Sequence, residues 1–124
     1  MSLADYFENT EGVGVLGTAD SEGKVDLAVY ARPHVVDETT VAFIMGDHLS
    51  HENLKSNPQA AYLFVEAGGG YAGKRLYLVK TAEETDPERI EAMRRESRKG
   101  RDYGGDAKFL VTFTVAKTRP LVGD

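Results

Sequence analysis

The sequence predicts a mainly β fold, a small antiparallel barrel of about six strands with three short helices packed at its edge. Three observations point there. Apolar and polar residues alternate with a period of two, and the first alternating segments follow one another through short polar turns with no crossover helix. Helical signals are brief and fall between strands. The chain has 124 residues, 41% hydrophobic and 28% charged, the profile of one soluble domain with a single core.

Each element has its own signature. Ser2 is placed to N-cap a short helix whose apolar face is Leu3, Tyr6 and Phe7, and Glu11-Gly12 ends it. Val13 to Ala19 reads as a strand closed by the polar turn Asp20-Ser21-Glu22-Gly23. From Lys24 to Arg32, Val25, Leu27 and Val29 alternate with Asp26, Ala28 and Tyr30, and Pro33 then removes a ladder donor. Val35-Val36 and Val41 to Met45 flank Asp37-Glu38-Thr39-Thr40 as a hairpin. Ser50 to Asn57 reads as a short helix with Ser50 as its cap, Leu54 inward and Pro58 as its stop. Ala60 to Val65 shows little alternation, so both of its faces are expected to be buried. Gly68-Gly69-Gly70 turns the chain into the alternating segment Arg75 to Lys80. Asp86-Pro87 starts a helix, with Arg94 to Lys99 and Gly100 as its C-terminal signals. Phe109 to Val115 is the last strand.

Several function classes are excluded by composition. No apolar run approaches about 18 residues, so no membrane-spanning helix is expected. The first residues lack the basic and apolar regions of a secretory signal. There are no cysteines, which removes disulfides, iron–sulfur ligation and thiol nucleophiles, and a reducing cytoplasm is the expected location. Acidic residues outnumber basic ones 20 to 15, a net charge of −5, which argues against nucleic acid as the general partner.

Two glycine motifs invite a nucleotide reading and do not support it. Gly12-Val13-Gly14-Val15-Leu16-Gly17 matches G-x-G-x-x-G, but a helix signal precedes it and a β-turn follows, the reverse of what pyrophosphate binding requires. Gly68 to Lys74 resembles a P-loop, yet Arg75 stands where a hydroxyl is needed and a strand follows. His48 and His51, beside Asp47 and Glu52, are too few for a closed metal site, and no metal is expected. The better reading of that turn is an anion site, because a strand ends at Met45-Gly46 and a helix opens beside it with unpaired amides. The basic run Arg94 to Arg101 reads as a solvated helix end. No paired-carboxylate or Gly-x-Ser-x-Gly pattern is present, so no catalytic acid or base is named.

Between Val41 and Val65 the sequence resembles the pyridoxamine 5′-phosphate oxidase-like family, the FMN-binding split barrels. The likeness rests on Asn53-Leu54-Lys55-Ser56-Asn57-Pro58, which follows the family's Asn-Leu-x-x-Asn-Pro pattern ahead of the apolar strand Ala60 to Val65. It extends in pattern over the first helix, Val13 to Ala19, Lys24 to Arg32 and Gly73 to Leu78. The resemblance implies a six-stranded split barrel spanning 1–124 that forms a homodimer, with non-covalent FMN in each of two clefts between subunits. It implies an oxidoreductase or electron-transfer role. Ala28, Val29, Tyr30 and Ala31 would run beside the isoalloxazine ring, largely through backbone contacts, and Phe43 to Met45 would form part of the same wall. His48, Leu49, Ser50 and His51 would hold the phosphate, and Asn53 would steady that turn.

Two departures qualify the expectation. Many family members carry Arg or Lys where Leu49 and Ser50 stand, so the phosphate charge must be met by Arg32, Lys55, Lys74, Arg75 or a protonated histidine. The C-terminal Arg-Leu-x-Pro of the true oxidase is absent, Thr118-Arg119-Pro120-Leu121 being a loose echo, so oxidation of pyridoxamine phosphate is not expected. The alternative is a non-enzymatic module of the same fold that holds flavin, haem or a deazaflavin.

Overall fold

A computed structural model describes residues 2–93 and 109–123. Along the chain the elements are α1 (Leu3–Asn9), β1 (Gly12–Ala19), β2 (Val25–Val29), β3 (His34–Asp37), β4 (Thr40–Met45), α2 (Leu49–Ser56), β5 (Gln59–Glu66), β6 (Gly73–Glu84), α3 (Pro87–Met93) and β7 (Phe109–Pro120). Ser2 caps α1 by accepting from the Asp5 amide at 3.1 Å. Asp86 accepts from the Glu88 amide at 3.0 Å and starts α3. The basic run from Arg94 to Arg101 lies outside the described residues.

All seven strands form one antiparallel sheet in the order β2-β1-β5-β6-β7-β4-β3. The expectation of six strands is corrected: among the described residues the sheet has seven and does not close into a barrel. The run read as one strand from Lys24 to Arg32 stops at Val29. Pro33 has no amide hydrogen, so the chain breaks there and resumes as the short strand β3, which pairs with β4 at the far side of the sheet. Consecutive strands β2 and β3 thus lie at opposite edges.

The sheet nevertheless curls around one core. Phe43 on β4 and Tyr62 on β5 are three positions apart in strand order, yet their ring centroids stand 5.0 Å apart. Register shifts at Tyr77/Leu78 and Lys80/Ala82 add curvature where β6 pairs with β7. Phe7, Leu16, Phe43, Leu54, Tyr62, Phe64, Leu76 and Phe113 belong to a single buried cluster. β5 departs from its sequence reading: Tyr62 and Phe64 point into this core, while Ala61 and Val65 are exposed. Among the described residues no helix is long and apolar enough to cross a membrane.

The glycines of the G-x-G-x-x-G run serve close approach rather than ligand binding. A Cβ at Gly14 would overlap the Tyr62 hydroxyl, and one at Gly12 would overlap the Val65 carbonyl oxygen.

Candidate functional site

The turn from β4 into α2 is built differently from the sequence reading. The helix opens one residue earlier, with His48 at the N-cap making no side-chain cap hydrogen bond. The His48 side chain therefore does not cap the first-turn amides. Ser50 is not the cap; it sits inside the helix, 4% exposed, and its hydroxyl hydrogen-bonds the Tyr30 phenol. Burial pushes that phenol above its ordinary value, with the Ser50 bond pulling it back. Leu49 is 55% exposed, and His48 is exposed.

His51, expected beside the phosphate, is engaged elsewhere. Its Nε2 lies 3.1 Å and 3.2 Å from the two Glu83 carboxylate oxygens. Its ring stacks on Phe109 at 3.7 Å between centroids. Its Nδ1 stands 3.8 Å from Asp47 Oδ1 and makes no hydrogen bond among the described residues. Glu83 also accepts from Lys80 at 2.6 Å. Burial pushes the Glu83 carboxyl up, but Lys80 and His51 outweigh it and leave it below the ordinary carboxylate value. The ring thus clamps α2 to β6 and β7.

Asn53 and Asn57 explain the Asn-Leu-x-x-Asn-Pro stretch. Buried Asn53 donates from Nδ2 to Thr18 Oγ1 on β1 at 3.1 Å. The Asn57 amide closes the helix on the Asn53 carbonyl at 3.0 Å, and Asn57 Oδ1 accepts from the Gln59 amide at 3.0 Å. The first asparagine ties α2 to β1, and the second launches β5.

Beside this turn lies β2, an edge strand that among the described residues pairs with β1 alone. Its other long side leaves backbone groups open to a ligand. Val25, Leu27 and Val29 project outward at 78%, 72% and 75% exposure; the apolar side of the alternation faces solvent, contrary to the usual burial rule. The segment that follows is tightly held. The Tyr30 amide donates to the Gly14 carbonyl at 3.0 Å, and the Tyr62 hydroxyl reaches the Tyr30 and Ala31 carbonyl oxygens at 3.2 Å and 3.1 Å. The Tyr30 ring packs edge-on against Phe43, so it is a core contact. Tyr71, by contrast, is 83% exposed on the glycine-rich hairpin loop.

The basic candidates are spent on structure. Arg32 Nη1 donates to the Phe7 and Thr10 carbonyls at 2.8 Å and 3.0 Å, closing α1. Lys74 Nζ sits 4.6 Å from the Tyr6 ring centroid, and the Tyr6 hydroxyl donates to Glu66 at 2.6 Å. Burial and the Glu66 carboxylate push that phenol far above its ordinary value. Arg75 donates to the Pro120 and Gly123 carbonyls, and Lys55 pairs with Glu52 at 3.2 Å. Met45 is 1% exposed, so its side chain belongs to the core rather than to a ligand wall. Sequence reasoning missed Tyr62, Lys117 and Arg119. Arg75, Tyr77, Lys117 and Arg119 line a cavity of about 520 Å³, brought together by the β6–β7 register across more than forty residues of chain.

No family model and no curated relative matches the chain. Solved structures do. An FMN-binding protein from Syntrophomonas wolfei subsp. wolfei superposes with a TM-score of 0.79 at 18% identity, over 99% of this chain and 86% of that one. An F420 reductase gives 0.66 at 15% identity, over 87% and 89% of the two chains. A Clostridium acetobutylicum protein related to general stress protein 26 of B. subtilis, of the pyridoxinephosphate oxidase family, gives 0.64 at 15%, over 94% and 89%. At these identities the likeness establishes the fold.

Proposed function

We propose, for a chain that has the fold of the pyridoxamine 5′-phosphate oxidase-like split barrels, that it is a homodimeric flavoprotein binding FMN non-covalently for electron or hydride transfer. One observation carries the reading. The edge of β2 that no described strand pairs and the first turn of α2, which the His48 side chain does not cap, are neighbours, joined by the Ser50–Tyr30 hydrogen bond. An edge strand supplies backbone donors and acceptors that suit the polar rim of an isoalloxazine, and free helix amides suit a phosphate.

In this reading Ala28, Val29, Tyr30 and Ala31 hold the ring through their main chain, and the Leu49, Ser50 and His51 amides face the phosphate. His48 stands at the same turn. Tyr62, Gly14 and Asn53 act at one remove: they fix the 30–31 segment and the pitch of α2, so that both halves of the site are preorganised. FMN, when bound, supplies reversible one- and two-electron transfer, and the protein contributes binding, orientation and exclusion of water. The dimer rests on the outward ladder Val25, Leu27 and Val29. Register continues it from Val29 to Val15 to Leu63 across β1 and β5, an apolar surface of the kind that marks an interface. A deazaflavin in the same cleft is the second reading, favoured by the shared fold of the F420 reductase.

The test is a visible spectrum of freshly purified protein with its released cofactor identified by mass, then titration with FMN and riboflavin. FMN should bind at least about ten-fold tighter than riboflavin, a difference of about 1.4 kcal/mol assigned to the phosphate. Ser50→Asp should abolish that advantage by charge repulsion, with Ser50→Ala as the control for folding. A colourless protein that refuses both flavins would end the proposal.

A further inference from the structure

The outward side of β6 and β7 carries a cluster of cations that the cleft described above does not use. Register sets Arg75 directly opposite Arg119 and Tyr77 opposite Lys117. Like charges facing each other across two strands repel. Arg75 donates to the Pro120 and Gly123 carbonyls, and Arg119 lies 5.7 Å from the Tyr77 ring centroid. Neither contact cancels a full charge.

Three other cations find carboxylates: Lys55 with Glu52, Lys80 with Glu83, and Arg89 with Glu84. Among the described residues, Arg75, Lys117 and Arg119 form no ion pair. The three cations instead surround an open cavity of about 520 Å³ with Tyr77 as its remaining wall. A planar guanidinium and an ammonium converging on one space match the oxygens of a phosphate group.

We infer that this cavity is a phosphate-binding site in which Lys117 and Arg119 hold the anion. Arg75 adds charge while it fixes the end of β7. The inference stands apart from the flavin reading, because it concerns a different face and needs no flavin. Two sources share the chemistry, a free phosphorylated metabolite and the phosphate tail of a flavin carried by a second copy of this chain.

Inorganic phosphate is the probe, titrated into dialysed protein at constant ionic strength against sodium chloride and followed by calorimetry and amide chemical shifts. Saturable binding is expected, with shifts centred on Tyr77, Lys117 and Arg119. The K117Q/R119Q variant should bind at least about ten-fold more weakly. Arg75 is left intact because it anchors Pro120 and Gly123. Lys117→Gln alone, on an exposed side chain, gives the same reading if the double variant does not fold. Competition separates the sources. FMN displacing phosphate at concentrations at least about ten-fold below those of glycerol phosphate, with riboflavin inert, assigns the site to a flavin tail, and equal potency of the two phosphomonoesters assigns it to a separate ligand. Absence of saturable binding, or equal affinity in the parent and the variants, overturns the inference whatever the flavin titrations show.

Discussion

The Tyr62 hydroxyl, carried on β5, donates to the carbonyl oxygen of Tyr30 at 3.2 Å, so the side chain of a central strand holds the backbone of the bend that leaves β2. Gly14 makes this possible, since any Cβ there would occupy the place of the hydroxyl. Tyr62→Phe leaves the Tyr30 and Ala31 carbonyls without this donor and should cost about 1–3 kcal/mol. Gly14→Ala should cost about the same or more through overpacking. Urea midpoints at an unchanged slope would register both losses. A midpoint for Tyr62→Phe equal to the parent's would mean that the two carbonyls are satisfied without the hydroxyl.

Leu27 tests the proposed subunit interface. It is 72% exposed in the protomer, so Leu27→Glu should alter protomer stability by no more than about 0.5 kcal/mol. In a dimer the introduced carboxylate would be buried without a partner. Sedimentation equilibrium should therefore show dimer for the parent and monomer for the variant. A dimer of undiminished affinity would move the interface off β2.

Asn53 and Thr18 form a closed pair suited to a double-mutant cycle. Each single replacement by Ala removes the 3.1 Å bond, and the coupling energy should be about 0.5–1.5 kcal/mol. Additive losses would mean that Asn53 acts through packing alone.

Glu83 sets an acid-side dependence of stability. Its carboxyl lies below the ordinary value of 4.5 in the folded chain. The contribution is therefore fully present above that value and is lost as pH falls through the folded one. Glu83→Gln should be less stable than the parent at neutral pH, and the gap should close in acid. A gap that stays constant from neutral pH into acid would show that the Lys80 and His51 contacts carry no charge-dependent stability.

The alternation of Val25, Leu27 and Val29 was legible as a strand, but alternation does not say which side is inside. Here the apolar side faces out, because the edge position of β2 is a property of the whole sheet order. Asn53 and Asn57 were legible as a local pattern, and both act within or next to α2. His51 was not, since its partners Glu83 and Phe109 lie 32 and 58 residues further along the chain and only the folded sheet brings them to it. For the same reason Arg75 was read without Lys117 and Arg119, which only the β6–β7 register sets beside it. Pro33 was read correctly as a break, and Val35-Val36 as half of a hairpin with Val41 to Met45, the pairing that β3 and β4 make.

The stretch from Tyr30 to Pro33 directly joins two rims of the sheet that share no ladder among the described residues. A ligand gripping residues 28–31 therefore steadies both rims at once. Hydrogen exchange should slow in His34–Asp37, which the ligand never touches, as well as along Val25–Val29.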